Sequence, residues 1–215
     1  MQTGVDGRQR LSPRRDRAAA LRVTLLGIGA MASPRYRPAG LLLEYAKVRV
    51  MIDGGPGAVP TGRLDAWLVT DEKCELMPAI RRLARPRGLE PAVRRFDLGK
   101  LRITPRAVVH TSHPAFGYLI HSPRGMVVWA PEFYRFPRWA RGADLMFAEA
   151  AGWSRPIRFA RGVGGHEAAL DVAAAALRAG VGRLVFAHVG RPTLRALDRG
   201  ESFPFGELGK EGRRY

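Results

Sequence analysis

Apolar residues in this chain come in short runs broken by glycine, proline and polar clusters, a pattern that predicts many strands and few helices. "LRVTLLGIG", starting at Leu21, reads as a strand that ends on glycines. "AGLLLEYAKVRVMIDGG" reads as two strands joined by a tight turn near Ala46 and Lys47, the second closing at Asp53-Gly54-Gly55. "LDAWLVT", from Leu64 to Thr70, is a further apolar run. "LRITPRAVVH", "FGYLIHS", "GMVVWAPE" and "DLMFAEA" add four short strands, and "RLVFAH" is a last one ending on His188. Helical spacing shows in two places. Leu76, Ile80 and Leu83 share one face of "ELMPAIRRLARPRG", with Gly88 where such a helix would stop; "HEAALDVAAAALRAG" is alanine-rich, with Gly180 as its C-terminal cap. Strands dominate early and helices are inserted in the middle and late, which suggests sheets covered by helices rather than a regular alternation.

Residues 1–20 lack this periodicity and carry five arginines against two aspartates, so they read as a disordered basic tail ahead of a domain spanning 21–215. With 215 residues, 46% of them hydrophobic, the chain can build one domain around a substantial core. Its net charge is +17, and beyond the tail it still has 31 basic against 17 acidic residues. Such a charge admits a polyanionic partner, nucleic acid included. The basic residues are scattered and not interleaved with aromatics, so a generally arginine-rich composition explains the charge better. No apolar run reaches membrane-spanning length and no apolar leader opens the chain. Cytoplasm, with no membrane partner, is the expectation, and the single cysteine, Cys74, fits a reducing compartment.

The glycine group "GIGAMAS" matches a dinucleotide-binding fingerprint only at Gly27 and Gly29. Pro34 and Pro38 fall where the phosphate-binding helix would have to start and run, which excludes that reading. A more informative pattern is the set of polar residues that end apolar strands: Asp53, Thr70 with Asp71, His110, Glu132 and His188. Side chains at one edge of stacked sheets converge on a single cleft, where metal sites are commonly assembled.

Taken in order, "LLGIGA", "MIDGGPG", a strand ending in Thr70, "VVHTSHPAFGYLI", "VVWAPE", "ADLMFAEA", "GGHEAALDVAAAAL" and "LVFAHVGRP" resemble the motif series of the metallo-β-lactamase superfamily, from Leu21 to about Thr193. The "GYLI" strand and the "GH" segment are most similar to its ribonuclease Z and phosphodiesterase branch. The resemblance implies an α/β fold, a four-layer αββα sandwich, with a metal centre at the sheet edge. In that family the strand ending in Thr leads into His-x-His-x-Asp-His, which supplies most metal ligands; here the stretch reads "TDEKCEL". Asp71 and Lys73 stand at two histidine positions, Glu75 at the aspartate and Leu76 at the last histidine. Leu76 has no donor atom, and a protonated Lys73 cannot coordinate. Cys74 is expected as a small buried residue rather than a thiolate ligand.

What the resemblance leaves as metal ligands is His110, His188 and Glu132, the last in place of a bridging aspartate, with Glu75 to complete the set. Two histidines and a carboxylate suit a single zinc, manganese or iron ion with open positions. His166, the histidine of "GH", takes the role of assisting at the scissile bond, and Asp71 is the second catalytic candidate. Lys73 and Arg191 are candidates for holding an anionic group of the substrate. His113 can stand in for His110 if the register differs by a few residues, and His121 is expected at the surface. Two functions follow. One is a metal-dependent hydrolase in which metal-activated water attacks a phosphoester or ester of a small molecule. The other keeps the fold without metal or catalysis, as a binding module for an anionic ligand or a protein partner. Lys73 would then replace the lost positive charge through an ion pair with Asp71, Glu75 or Glu132. Neither reading fixes a substrate or an oligomeric state.

Overall fold

A computed structural model describes residues 20–215, so the basic stretch read as a tail lies, apart from Ala20, outside the described residues. Strands β1 (Arg22–Gly27), β2 (Gly40–Tyr45), β3 (Val48–Asp53) and β4 (Ala66–Leu68) form a four-stranded sheet in that order. Helix α1 (Met77–Ala84) follows, then β5 (Phe96–Leu98), β6 (Leu101–Val108), β7 (Ala115–Ser122), β8 (Gly125–Ala130) and β9 (Leu145–Ala150). A small ribbon of β10 (Ile157–Arg158) and β11 (Gly165–His166) precedes α2 (Ala169–Arg178), β12 (Leu184–Val189), α3 (Arg191–Asp198) and β13 (Glu207–Leu208). The second sheet has seven strands in the order β13-β12-β9-β8-β7-β6-β5.

The continuous apolar runs of the small sheet arise because both of its faces are covered. Leu41, Leu43, Val50, Ile52 and Leu68 belong to the core between the sheets. Their alternates Leu42, Met51, Trp67 and Val69 pack with Met77, Ile80 and Ala84 of α1. On the large sheet, Val172, Ala173 and Ala176 of α2 and Leu194 and Ala196 of α3 join the same core as β9 and β12. The layers therefore run helix, sheet, sheet, helix, the αββα sandwich that the motif series implies.

Local chemistry sets the joints. Ala46 and Lys47 both take left-handed backbone angles (φ 47 and 70), which matches a two-residue hairpin turn to the twist of β2 and β3. Pro105 is tolerated within β6 because β5 pairs only as far as Ile103, leaving the rest of β6 an edge. Gly180 follows α2 in the left-handed conformation (φ 71), as its place in the sequence predicts. Helix α2 itself starts at Ala169, after Ala168 in extended geometry, so His166 lies on β11 ahead of the helix rather than in its first turn.

Asp53 ties the two sheets together. It ends β3 with φ 53, and its Oδ2 accepts from Trp129 Nε1 of β8 at 2.6 Å. Its Oδ1 accepts from the Thr70 backbone N–H at 2.7 Å, and the Thr70 hydroxyl lies 3.0 Å from both oxygens. Burial pushes this carboxyl up to about 7, against those donors. A second link is Tyr118 of β7, whose hydroxyl donates to the Val69 carbonyl at 3.0 Å. Removing the Asp53 carboxylate leaves an indole N–H and a backbone N–H without their acceptor, so Asp53→Ala is expected to lower unfolding stability by roughly 2–4 kcal/mol in urea titrations. Asp53→Asn keeps an acceptor and tolerates positive φ, and is expected to lose clearly less.

Candidate active site

In the large sheet β8, β9 and β12 run parallel, and β6 points the same way because two antiparallel steps separate it from β8. The segments that leave these strands at their C-terminal ends therefore share one edge, where they meet the turn between β4 and α1. The result is a cleft of about 210 Å³ lined by Asp71, Lys73, Glu75, His110, His113, Glu132, His166 and His188, with Phe159 and Met31 as apolar walls. Seven of the eight residues singled out from the sequence thus meet in one place. The eighth, Arg191, does not line the cleft: Gly190 packs against Ala151 and Arg191 begins α3 at the surface. His121 is exposed on β7, as expected.

Glu132 sits between two histidines. One oxygen is 2.8 Å from His110 Nε2 and the other is 3.1 Å from His188 Nδ1. His110 Nδ1 donates to the Gly165 carbonyl at 2.9 Å, which fixes the ring and turns Nε2 toward the carboxylate. Burial alone would lower the His110 pKa, but its hydrogen bond and attraction to Glu132 outweigh that and raise it to about 9. Burial alone would raise Glu132; the neighbouring His188 and His110 instead hold it well below the usual carboxylate range. For His188 burial wins, and the ring is pushed toward the neutral form.

Backbone geometry aims these side chains. His188 takes φ 56 inside β12, where the pairing with β9 slips between Phe186 and Val189. A non-glycine residue in this region is strained, and strain of this kind collects at functional sites. Gly164 and Gly165 let the chain pass close to its neighbours: a Cβ at Gly164 would lie 2.0 Å from the His110 carbonyl oxygen, and one at Gly165 would lie 1.9 Å from that of Ile157. The glycines of "GVGGH" are thus required for His110 and His166 to come together.

His166 has its own carboxylate, which the sequence did not single out. Nδ1 donates at 2.7 Å to Glu149 of β9, a fully buried residue whose oxygens also accept from the backbone N–H of Phe133 and Ala151. Burial lowers the His166 pKa, but the Glu149 carboxylate more than compensates and the net shift is upward. The ring stacks on His188 with centroids 5.2 Å apart and meets Phe159 edge-on at 5.3 Å. Holding Nδ1–H on Glu149 leaves Nε2 as the atom free to act, the arrangement of a carboxylate-oriented general acid or base.

The "TDEKCEL" turn differs from expectation in one respect. Lys73 forms no ion pair among the described residues; it is exposed, and only its backbone N–H bonds to Asp71. The reason is that Asp71 is already taken: its Oδ2 lies 2.7 Å from His113 Nε2. Glu132 is likewise taken by His110 and His188, and Glu75 is exposed on the rim. Cys74, expected to be buried, packs half-buried toward α1, and burial pushes its thiol up to about 12.

The cleft offers several possible metal donors, some of them already engaged by hydrogen bonds. Glu132 links His110 and His188 through its two oxygens, while in the turn of 71–76 Asp71 is engaged, Lys73 donates only and Leu76 has no donor atom. Glu149, His166 and His188 also bring one donor atom each within 4.8 Å of one another. The Glu149 oxygens, however, already accept three N–H groups, so Glu149 serves better as the group that orients His166.

Solved structures share this architecture. The metallo-β-lactamase fold protein YhfI from Bacillus subtilis superposes with a TM-score of 0.71 at 17% identity, covering 91% of this chain and 99% of its own. A diphosphatase of the PhnP family gives 0.65 at 14% identity, covering 91% and 96%. Zn²⁺-bound PqqB from Methylobacterium extorquens gives 0.60 at 11% identity, covering 90% and 99%. No family model matches the chain, and no curated protein matches it in sequence. No helix among the described residues is long and apolar enough to cross a membrane.

The His110–Glu132 pair makes stability depend on pH. His110 binds its proton more tightly in the fold than its ordinary value of 6.5 would allow. Its contribution is therefore complete below that value and is lost as pH rises through about 9. In chelator-treated protein, urea unfolding is expected to show a decline on the order of 3 kcal/mol across this window. The decline should be largely absent in His110→Gln; parallel declines in the two proteins would assign it to other groups.

Proposed function

On a metallo-β-lactamase fold, we propose that this chain is a metal-dependent hydrolase of small phosphoester or ester substrates with a single-metal centre. The reading rests on one observation above all: Glu132, flanked by His110 and His188, at the floor of a cleft that Lys73 leaves open. The similarity of the fold to a diphosphatase and to a zinc-bound protein supports it.

His110 through Nε2, His188 and Glu132 would hold zinc, manganese or iron, with Glu75 on the rim as a further donor. Such an ion, when bound, supplies an activated water and polarises the ester. The remaining tasks belong to the chain. His166, fixed on Glu149, presents Nε2 to the leaving oxygen and gives it a proton. The stack on His188 and the edge of Phe159 limit the ring to that orientation. Asp71, with both oxygens engaged by His113 and the Lys73 backbone, acts as a positioning residue for the cleft wall. Lys73 is left to meet a negative charge on the substrate. The non-catalytic alternative needed Lys73 in an ion pair that closes the cleft, and it lacks that support.

Turnover of bis(4-nitrophenyl) phosphate and 4-nitrophenyl acetate, with zinc, manganese and iron supplied in turn, tests the proposal. Activity is expected to vanish with chelator and in His188→Ala. In His166→Ala, kcat is expected to fall by roughly 10²- to 10⁴-fold with KM little changed, and in Glu149→Gln by less. No turnover with any of the three ions, or turnover that survives His188→Ala, would overturn it.

A further inference from the structure

The cleft does not end at Lys73. The same side chain also lines a second hollow of about 290 Å³, whose other walls are Glu72, Val93, Pro114 and Phe116. Three of those walls are apolar, with Val93 and Phe116 half-buried and Pro114 exposed. The one acid, Glu72, is turned onto backbone, its carboxylate accepting from the Val93 N–H at 2.7 Å. The partition between the hollows is braced. His113, which precedes Pro114, bonds to Asp71, two residues before Lys73, and the Phe116 N–H donates to the Thr70 carbonyl at 2.9 Å.

Charge narrows the occupant. Although the chain carries +17 overall, Lys73 is the only lysine or arginine lining either hollow among the described residues, against Asp71, Glu75 and Glu132 in the cleft. A polyanion such as nucleic acid would need a row of cations there. A single anionic group beside an apolar arm needs one cation and an adjoining apolar wall, and that is what these two hollows offer. We propose that the substrate is an amphipathic anion whose charged group binds Lys73 and whose apolar arm lies in the groove of Val93, Pro114 and Phe116.

This rests on reading the cleft as a substrate site, but its test needs no turnover. Chelator-treated full-length protein is titrated calorimetrically with methyl, butyl and octyl phosphate. Affinity is expected to rise about two- to fourfold per methylene until the groove is filled. Phe116→Asp should flatten that dependence, and so should the surface substitution Pro114→Glu, which keeps the result readable if Phe116→Asp fails to fold. Lys73→Met should weaken every member of the series by about tenfold or more while preserving the increment per methylene. A series that is flat in the wild type, or a length dependence unchanged in Pro114→Glu, would overturn the proposal. A correct binding series without hydrolysis would instead count only against the hydrolase reading.

Discussion

A carboxylate partly withdrawn from water into a cleft gains from cationic or hydrogen-bonding partners, and Glu132 has two histidines placed one on each oxygen. Much else at this edge of the sandwich serves that arrangement. Gly165 gives up its carbonyl to fix His110, and the left-handed backbone at His188 turns that ring inward from a buried strand. The glycine pair ahead of His166 lets three histidine rings gather within about 5 Å of their neighbours. A strained residue and two close backbone approaches cost stability, and the buried layers on either side of both sheets offset that cost.

The fold was legible because its strands are long enough to carry a pattern and end in residues whose chemistry is out of place there. Asp53, His110, Glu132 and His188 each follow an apolar run, and parallel strands put such ends together. The strands β5, β10, β11 and β13 escaped notice because two or three residues carry no periodicity. Glu149 escaped for a different reason. It sits inside the apolar run "DLMFAEA", and its importance depends on His166, which reaches it from another strand. The Asp71–His113 pair joins residues 42 apart, so no local reading could have assigned Asp71 its partner and freed Lys73.

Charge also reads differently in three dimensions. The composition is strongly basic, yet among the described residues Lys73 is the only lysine or arginine lining the cleft, and the arginine candidate, Arg191, lies elsewhere. Basic residues spread over a surface raise solubility and general attraction to anions, but selection of a substrate is made by the few groups that line the cavity. On the proposed reading the centre holds one ion, because the turn before α1 carries the Asp71–His113 pair and, among the described residues, an unpaired Lys73 where the resemblance places further ligands.

A one-ion centre fixes a number that can be counted. Elemental analysis of the purified chain, expressed with zinc, manganese and iron supplied and then desalted, should find one divalent ion per chain, and none in Glu132→Gln. A well-folded wild-type chain with no ion, or with two, would contradict the single-metal account.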